Sequence, residues 1–257
     1  MSIEGNETTF LAFFVYYMQN SRFYRGLATN KGLVSSVIVE EETDLRVSTT
    51  FEMSYQAHYL VQKYRNHLKS FITSHPLFAA SLEPIQVPDE APDIVKEMAR
   101  AGSIAGVGPM AAVAGAIAQF VGQSLSVESP EVIVENGGDI YLKSNRVRRV
   151  AIYAGNSPLS NKIGLEFNPE ETPVGICTSS ATVGPSLSFG NTDATVVIAR
   201  STALADAAAT AIGNSVSSEM EIDKGIALAR QMNGLDGALI IVGEKMGVWG
   251  KLTLFNL

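Results

Sequence analysis

The spacing of apolar and polar positions divides this chain into distinct elements. From Ser54 to Ser74, Ala57, Leu60, Val61, Tyr64, Leu68, Phe71 and Ile72 recur every three or four residues, which predicts one long amphipathic helix. Before it, Gly32 to Thr50 carries two runs rich in β-branched residues, with Glu42-Thr43-Asp44 between them as turn material. This predicts a hairpin. Pro76, Pro84, Pro88 and Pro92 punctuate a connection, and a shorter helix from about Asp93 to Ala101 leads to a glycine-rich segment ending at Gly108-Pro109.

Beyond that point one plan occurs twice. Met110 to Ser126 is a helix of small residues, followed by the strands EVIVEN and DIYLKS joined through Asn136-Gly137-Gly138. Ala203 to Ser215 is a second small-residue helix. A helix near Asp223 to Met232 and the strands GALIIVG and MGVWGKL, joined through Glu244-Lys245, come after it. The shared order suggests an internal duplication with halves around 106–145 and 200–253. Between them lie the strands VRRVAIYAG, KIGLEF and ATVVIAR and the segment GICTSSATVGPSLSFGNTD. Hairpins interleaved with helices predict an α+β fold with mainly antiparallel sheets. The expected organisation is an N-terminal extension over 1–24 and a single domain over 25–257.

Composition narrows the classes of function. The chain has 257 residues, 18% charged and 46% hydrophobic, with a net charge of −7. That is globular, and it offers no electrostatic reason to expect nucleic acid or an anionic membrane as partner. Arg146, Arg148 and Arg149 form the one basic cluster, read as a solvated hairpin edge rather than a phosphate-binding patch. Cys177 is the sole cysteine, which rules out an intrachain disulfide and a cysteine-based zinc site, and it reads as a small buried apolar residue rather than a nucleophile. His58, His67 and His75 fit no local metal motif and are expected at the surface or at a helix end. The apolar run Phe10 to Met18 is too short to span a bilayer and has no signal-peptide flanks, so the expected location is cytoplasmic. Met18 is an alternative start of translation.

Three segments carry candidate chemistry. Gly106-Val107-Gly108-Pro109-Met110-Ala111-Ala112 opens a helix, where backbone amides and the helix dipole favour an anion; it reads equally as a plain helix start. Glu135-Asn136-Gly137-Gly138-Asp139 offers polar groups at a strand end, or is an ordinary Asn-Gly turn. Asp206 and Thr210 lie four apart on one helix face framed by alanines, a pattern suited to a hard cation such as Mg²⁺. The alternative is that Asp206 complements the helix dipole while Thr210 bonds back to the preceding turn.

In this order the three segments resemble the ApbE superfamily of flavinyl transferases. That family has a segment like G-A-I-A-K-G opening a helix, then N-x-G-G-D, then a strand and a helix reading much like T-A-x-x-A-D-A-x-A-T. Gly108-Pro109-Met110-Ala111, Asn136-Gly137-Gly138-Asp139 and Thr202 to Thr210 stand in the corresponding places, and Gly175 to Ser179 resembles the family's GVATS strand. The likeness covers roughly residues 106 to 220. Arg25 and the hairpin ending ETDLRV resemble an uncharacterised ApbE-like subfamily.

The resemblance implies an ApbE-like fold and a nucleotide site for FAD built from Gly108, Pro109, Met110, Asn136, Gly137, Gly138, Asp139, Thr178 and Ser179. It implies Mg²⁺ held by Asp206, Thr210 and the backbone carbonyl of Ala111. Secreted members of the family are commonly lipoproteins, and this chain has no cysteine near its start. Two departures stand against transfer of FMN to a protein: Ala112 replaces the family's Lys, and the family's H-x-x-D-P-x-T-G element is missing, its place taken by Thr182 to Gly190. The expected partner is therefore a small-molecule nucleotide. Two other readings stand beside it: an accessory or metabolic protein linked, at the level of the subfamily, to sulfur incorporation in homocysteine synthesis, and a structural module whose small-residue helices pack between copies, with a homodimer as the expected assembly.

Overall fold

The computed structural model describes residues 9–12 as backbone, and 32–181 and 190–257 in full. The expectations for Arg25, for Met18 with most of the stretch before it, and for 182–189 lie outside these residues.

A short strand, β1 (Thr9–Ala12), is followed by the hairpin β2 (Val34–Glu40) and β3 (Thr43–Thr49). The turn is Glu41-Glu42, one step earlier than the sequence suggests, with Glu41 at φ 52° and Thr43 and Asp44 already paired in β3. The helix α1 (Ser54–Ser74) has the predicted bounds and buries Ala57, Val61, Leu68 and Phe71. Then come α2 (Leu77–Ala80), α3 (Asp93–Ala105), a 3-10 turn at Pro109–Ala112 and α4 (Val113–Leu125). After these run β4 (Val132–Asn136), β5 (Asp139–Lys143), β6 (Arg148–Ala151), β7 (Ile163–Phe167), β8 (Val174–Ser179) and β9 (Ala194–Ala199). The chain closes with α5 (Thr202–Asn214), α6 (Ile222–Gln231), β10 (Leu235–Val242), β11 (Lys245–Gly250) and β12 (Thr253–Asn256).

The predicted α+β architecture is present in three layers. An eight-stranded antiparallel sheet, in the order β11-β10-β9-β8-β5-β4-β3-β2, forms the middle. Helices cover one face and the small sheet β1-β6-β7-β12 covers the other. The central strands are therefore buried on both sides, which is why they read as continuous apolar runs rather than alternating ones. Along β9, Val197 and Ala199 join the helix-side core while Val196 and Ile198 join the core between the sheets. The repeated plan extends further back than the sequence suggests: each half of the large sheet is a hairpin, then helices, then a second hairpin, with β5 and β8 meeting in the middle.

The arginine cluster departs from expectation. Arg148 is fully buried, donating to Glu131 at 2.6 Å and to Ser144 at 2.9 Å, while Arg146 is exposed and reaches Glu131 at 3.3 Å. Arg149 pairs with Glu166 at 2.6 Å and lies over the Phe255 ring. The partners come from β7, β12 and the lead into β4, which local spacing cannot reveal. His75 is exposed just after the last turn of α1, stacked on Phe71, and His58 lies 3.5 Å from Glu40, whereas His67 is half-buried within α1, edge-on to Tyr64. Among the described residues no single helix is long and apolar enough to cross a membrane.

Candidate active site

The site begins as a break in an apolar row. Across the helix-facing side of the large sheet, ladder partners run Leu45, Asn136, Asp139, Cys177, Val197 and Ala238. Residues directly opposite one another share a face, so Asn136 and Asp139 put polar groups where their neighbours put core. They flank the two-residue turn Gly137-Gly138. Gly137 has φ 68°, a conformation that favours glycine. A Cβ on Gly138 would lie 2.6 Å from the Thr178 carbonyl, and Thr178 N–H bonds to Gly138 O at 2.9 Å, so the turn is pressed against the end of β8.

The helices complete the site from above. Ser201 caps α5 by accepting from Leu204 N–H at 3.0 Å, and its hydroxyl donates to Glu97 of α3 at 2.6 Å. Gln119 of α4 accepts from Ala203 N–H at 3.1 Å. This network fixes the first turn of α5 against α3 and α4. The two small-residue helices approach so closely that a Cβ on Gly115 would strike the Thr202 carbonyl and come within 2.7 Å of the Asp206 Cβ. That approach brings the Asp206 carboxylate to the start of α4, where it accepts from Gly115 N–H at 2.8 Å and also from Ala114 N–H. From the sheet side, Asn136 Nδ2 donates to the Ala114 carbonyl at 3.1 Å.

Two carboxylates from different elements thus share a poorly solvated space with no cationic side chain between them among the described residues. Burial raises the pKa of Asp206 to about 7, even though two N–H groups stabilise its anion. Burial also pushes Asp139 well above the ordinary carboxylate value, and the charges of Asp206 and Glu135 push it further; a bond from the Cys177 thiol opposes them. Cys177 is fully buried, 3.3 Å from the Thr202 carbonyl. Burial and then the two aspartates hold it as a thiol, so it is a packed neighbour of the pair rather than a nucleophile.

The structure brings Asn136, Asp139, Asp206 and the start of α4 together, with the half-buried Thr210 one turn beyond Asp206. Ala111 sits in the 3-10 turn that packs against α5. The other predicted residues are placed differently. Gly108 is a glycine because the Ser81 backbone crowds it, and its N–H bonds to Leu82 O at 2.8 Å. Pro109 is buried and Met110 packs on the helix-side core. Ser179 lies beside Gly213, further along α5, and Thr178 alternates to the opposite face of β8 from Cys177. Helix-start amides assigned to a ligand anion are also partly taken, since Ala114 and Gly115 already donate to Asp206. Sequence reasoning missed the supporting residues Ser201 and Gln119. The signals existed: a serine just before the helix pattern, and one amide on an otherwise apolar helix face.

Comparison with known proteins gives the family and the fold. Residues 27–243 match the family described as "AbpE bacteria". The chain is 42% identical over 194 residues to a UPF0280 protein of Methanosarcina acetivorans, covering 75% of this chain and 76% of that one. It is 40% identical over 221 residues to one from Methanocaldococcus jannaschii, covering 84% and 90%. Among solved structures it is similar to the apo form of the flavinyl transferase ApbE of Pseudomonas stutzeri, with a TM-score of 0.55 and 15% identity over 86% of this chain and 94% of that one. The flavin transferase ApbE of Vibrio cholerae gives 0.51 and 14% over 84% and 96%. At such low identity these two speak for the fold. The chain belongs to the family described as "AbpE bacteria", alongside the UPF0280 proteins of Methanosarcina acetivorans and Methanocaldococcus jannaschii.

Proposed function

We propose that this protein binds a flavin nucleotide, FAD, together with a divalent cation such as Mg²⁺, at the junction of α4, α5 and the β4–β5 turn. The observation that carries the reading is the Asp139–Asp206 pair, a buried and a half-buried carboxylate close enough for the charge of one to raise the other, with no basic side chain between them among the described residues. Such a pair must hold a proton or a cation. With the Asp139 and Asp206 carboxylates, the Thr210 hydroxyl and the Ala111 carbonyl that the resemblance implies would make a hard-donor set that fits Mg²⁺. Among the described residues no three His, Cys, Asp or Glu side chains form a closed cage. Mg²⁺ bound through one or two carboxylates and completed by ligand phosphates needs none. In this reading Asp206 and Thr210 hold the ion, and Asp139 adds negative charge beside it. The bound cation would supply neutralisation of the pyrophosphate.

The reading stops at binding. Ala112, where the resemblance calls for a lysine, is fully buried at the start of α4, so no cation reaches the phosphates from there. Calorimetry with FAD in Mg²⁺ and in EDTA tests the proposal. Binding that requires Mg²⁺ and disappears in Asp206→Ala is expected. Wild type that binds no FAD in either buffer overturns it.

A further inference from the structure

We infer that Asn136 is a positioning residue for Asp206, acting through a single peptide group rather than touching the ligand itself. The inference rests on the cation site proposed above and assigns its alignment to a residue outside the ion's own ligands.

The peptide between Ala114 and Gly115 is held at both ends. Its oxygen accepts from Asn136 Nδ2 at 3.1 Å, and its N–H donates to Asp206 Oδ2 at 2.8 Å. A peptide group is planar, so fixing the carbonyl direction fixes the N–H direction as well. A donor on the oxygen also polarises the group and strengthens the bond its N–H gives. Asn136 is itself well anchored: it is the last residue of β4, paired with Leu45 of β3 on one side and Asp139 of β5 on the other. A fixed sheet position is thus transmitted to a carboxylate on α5 through the first turn of α4. The small residues belong to the same device, because the helices pack too closely at Gly115 for a Cβ. Asn136 also has the right chemistry for the place. An amide donates to a carbonyl without adding a third negative charge beside Asp139 and Asp206, whereas an aspartate would do neither.

Outer partners that orient a metal-binding group are typically worth about 10- to 100-fold in affinity. The experiment uses Mn²⁺ alone as the probe, read by electron paramagnetic resonance on the full chain, together with the amide proton resonance of Gly115 by NMR. In Asn136→Leu, Mn²⁺ affinity is expected to fall by about 10- to 100-fold. The Gly115 amide proton is expected to move upfield, in the direction that Asp206→Asn also moves it. If Asn136→Leu does not fold, Asn136→Ser keeps a polar turn residue too short to reach Ala114 and gives the same two readouts. Unchanged Mn²⁺ affinity with an unmoved Gly115 resonance overturns the inference. So does a loss seen only when FAD is present, which would make Asn136 a nucleotide contact. Wild type that binds no Mn²⁺ counts against the cation site itself, and the Gly115 resonance then still decides whether Asn136 holds Asp206.

Discussion

The two ends of strand β4 each bury charge, and they solve the problem in opposite ways. At the start, Glu131 is almost completely enclosed, yet it accepts from Arg148 and from Ser144, both at 2.6 Å, with Arg146 nearby. Burial alone would raise its pKa, but the bonds from Ser144 and Arg148 outweigh it and hold the carboxyl below its ordinary value. Beyond the far end, across the turn, Asp139 meets Asp206 with no basic side chain between them among the described residues, and both are pushed upward. A buried charge that is paired within the chain belongs to the fold. A buried charge left over asks for something from outside the chain. This contrast, more than any motif, distinguishes structural polarity from a site.

The largest expected effect lies at the paired end. Arg148→Ala removes the buried guanidinium beside Glu131, leaving it only Ser144 and the exposed Arg146, and should cost about 3–5 kcal/mol in denaturant unfolding. A cost no larger than a surface substitution would mean that Glu131 is solvated after all. At the unpaired end the sign reverses. Asp206 has a folded pKa of about 7 against an ordinary 3.8, so the folded state keeps a proton that the unfolded chain releases between those values. Metal-free stability should therefore fall as pH rises from about 4 to about 7. Asp206→Asn should lessen that fall, leaving the part due to the buried Asp139, and should give a variant that melts higher than wild type at pH 8 in EDTA while no longer binding Mg²⁺. A melting temperature lowered by this substitution at pH 8 would contradict an unpaired carboxylate. A smaller effect is expected at the turn: Gly138→Ala sets a Cβ 2.6 Å from the Thr178 carbonyl and should cost about 1–3 kcal/mol as the hairpin shifts from β8.

The sequence carried a good deal of this, and its failures share a cause. The amphipathic face of α1, the small-residue helices and the Asn136–Asp139 and Asp206–Thr210 pairs were legible because each depends on spacing within one element. The burial of Arg148 was not, since its carboxylate partner precedes it by 17 residues, just before β4. Gly108 looked like a ligand loop, yet its lack of a side chain answers to Ser81, an approach no local pattern encodes. Asn136 and Asp139 were recognised as polar groups at a strand end, but their meeting with Asp206 depends on the crossing of α4 and α5. The strand β12 was missed, being four residues whose one pairing among the described residues is with β7.

The central claim is that Asp139 and Asp206 form an uncompensated pair that a cation resolves. It is tested most directly by following the Asp206 carboxyl carbon by ¹³C NMR across pH, first in EDTA and then in Mg²⁺. The account predicts a titration near the value of about 7 without the ion and a midpoint displaced well to the acid side with it. A midpoint at the ordinary 3.8 in both buffers would contradict it.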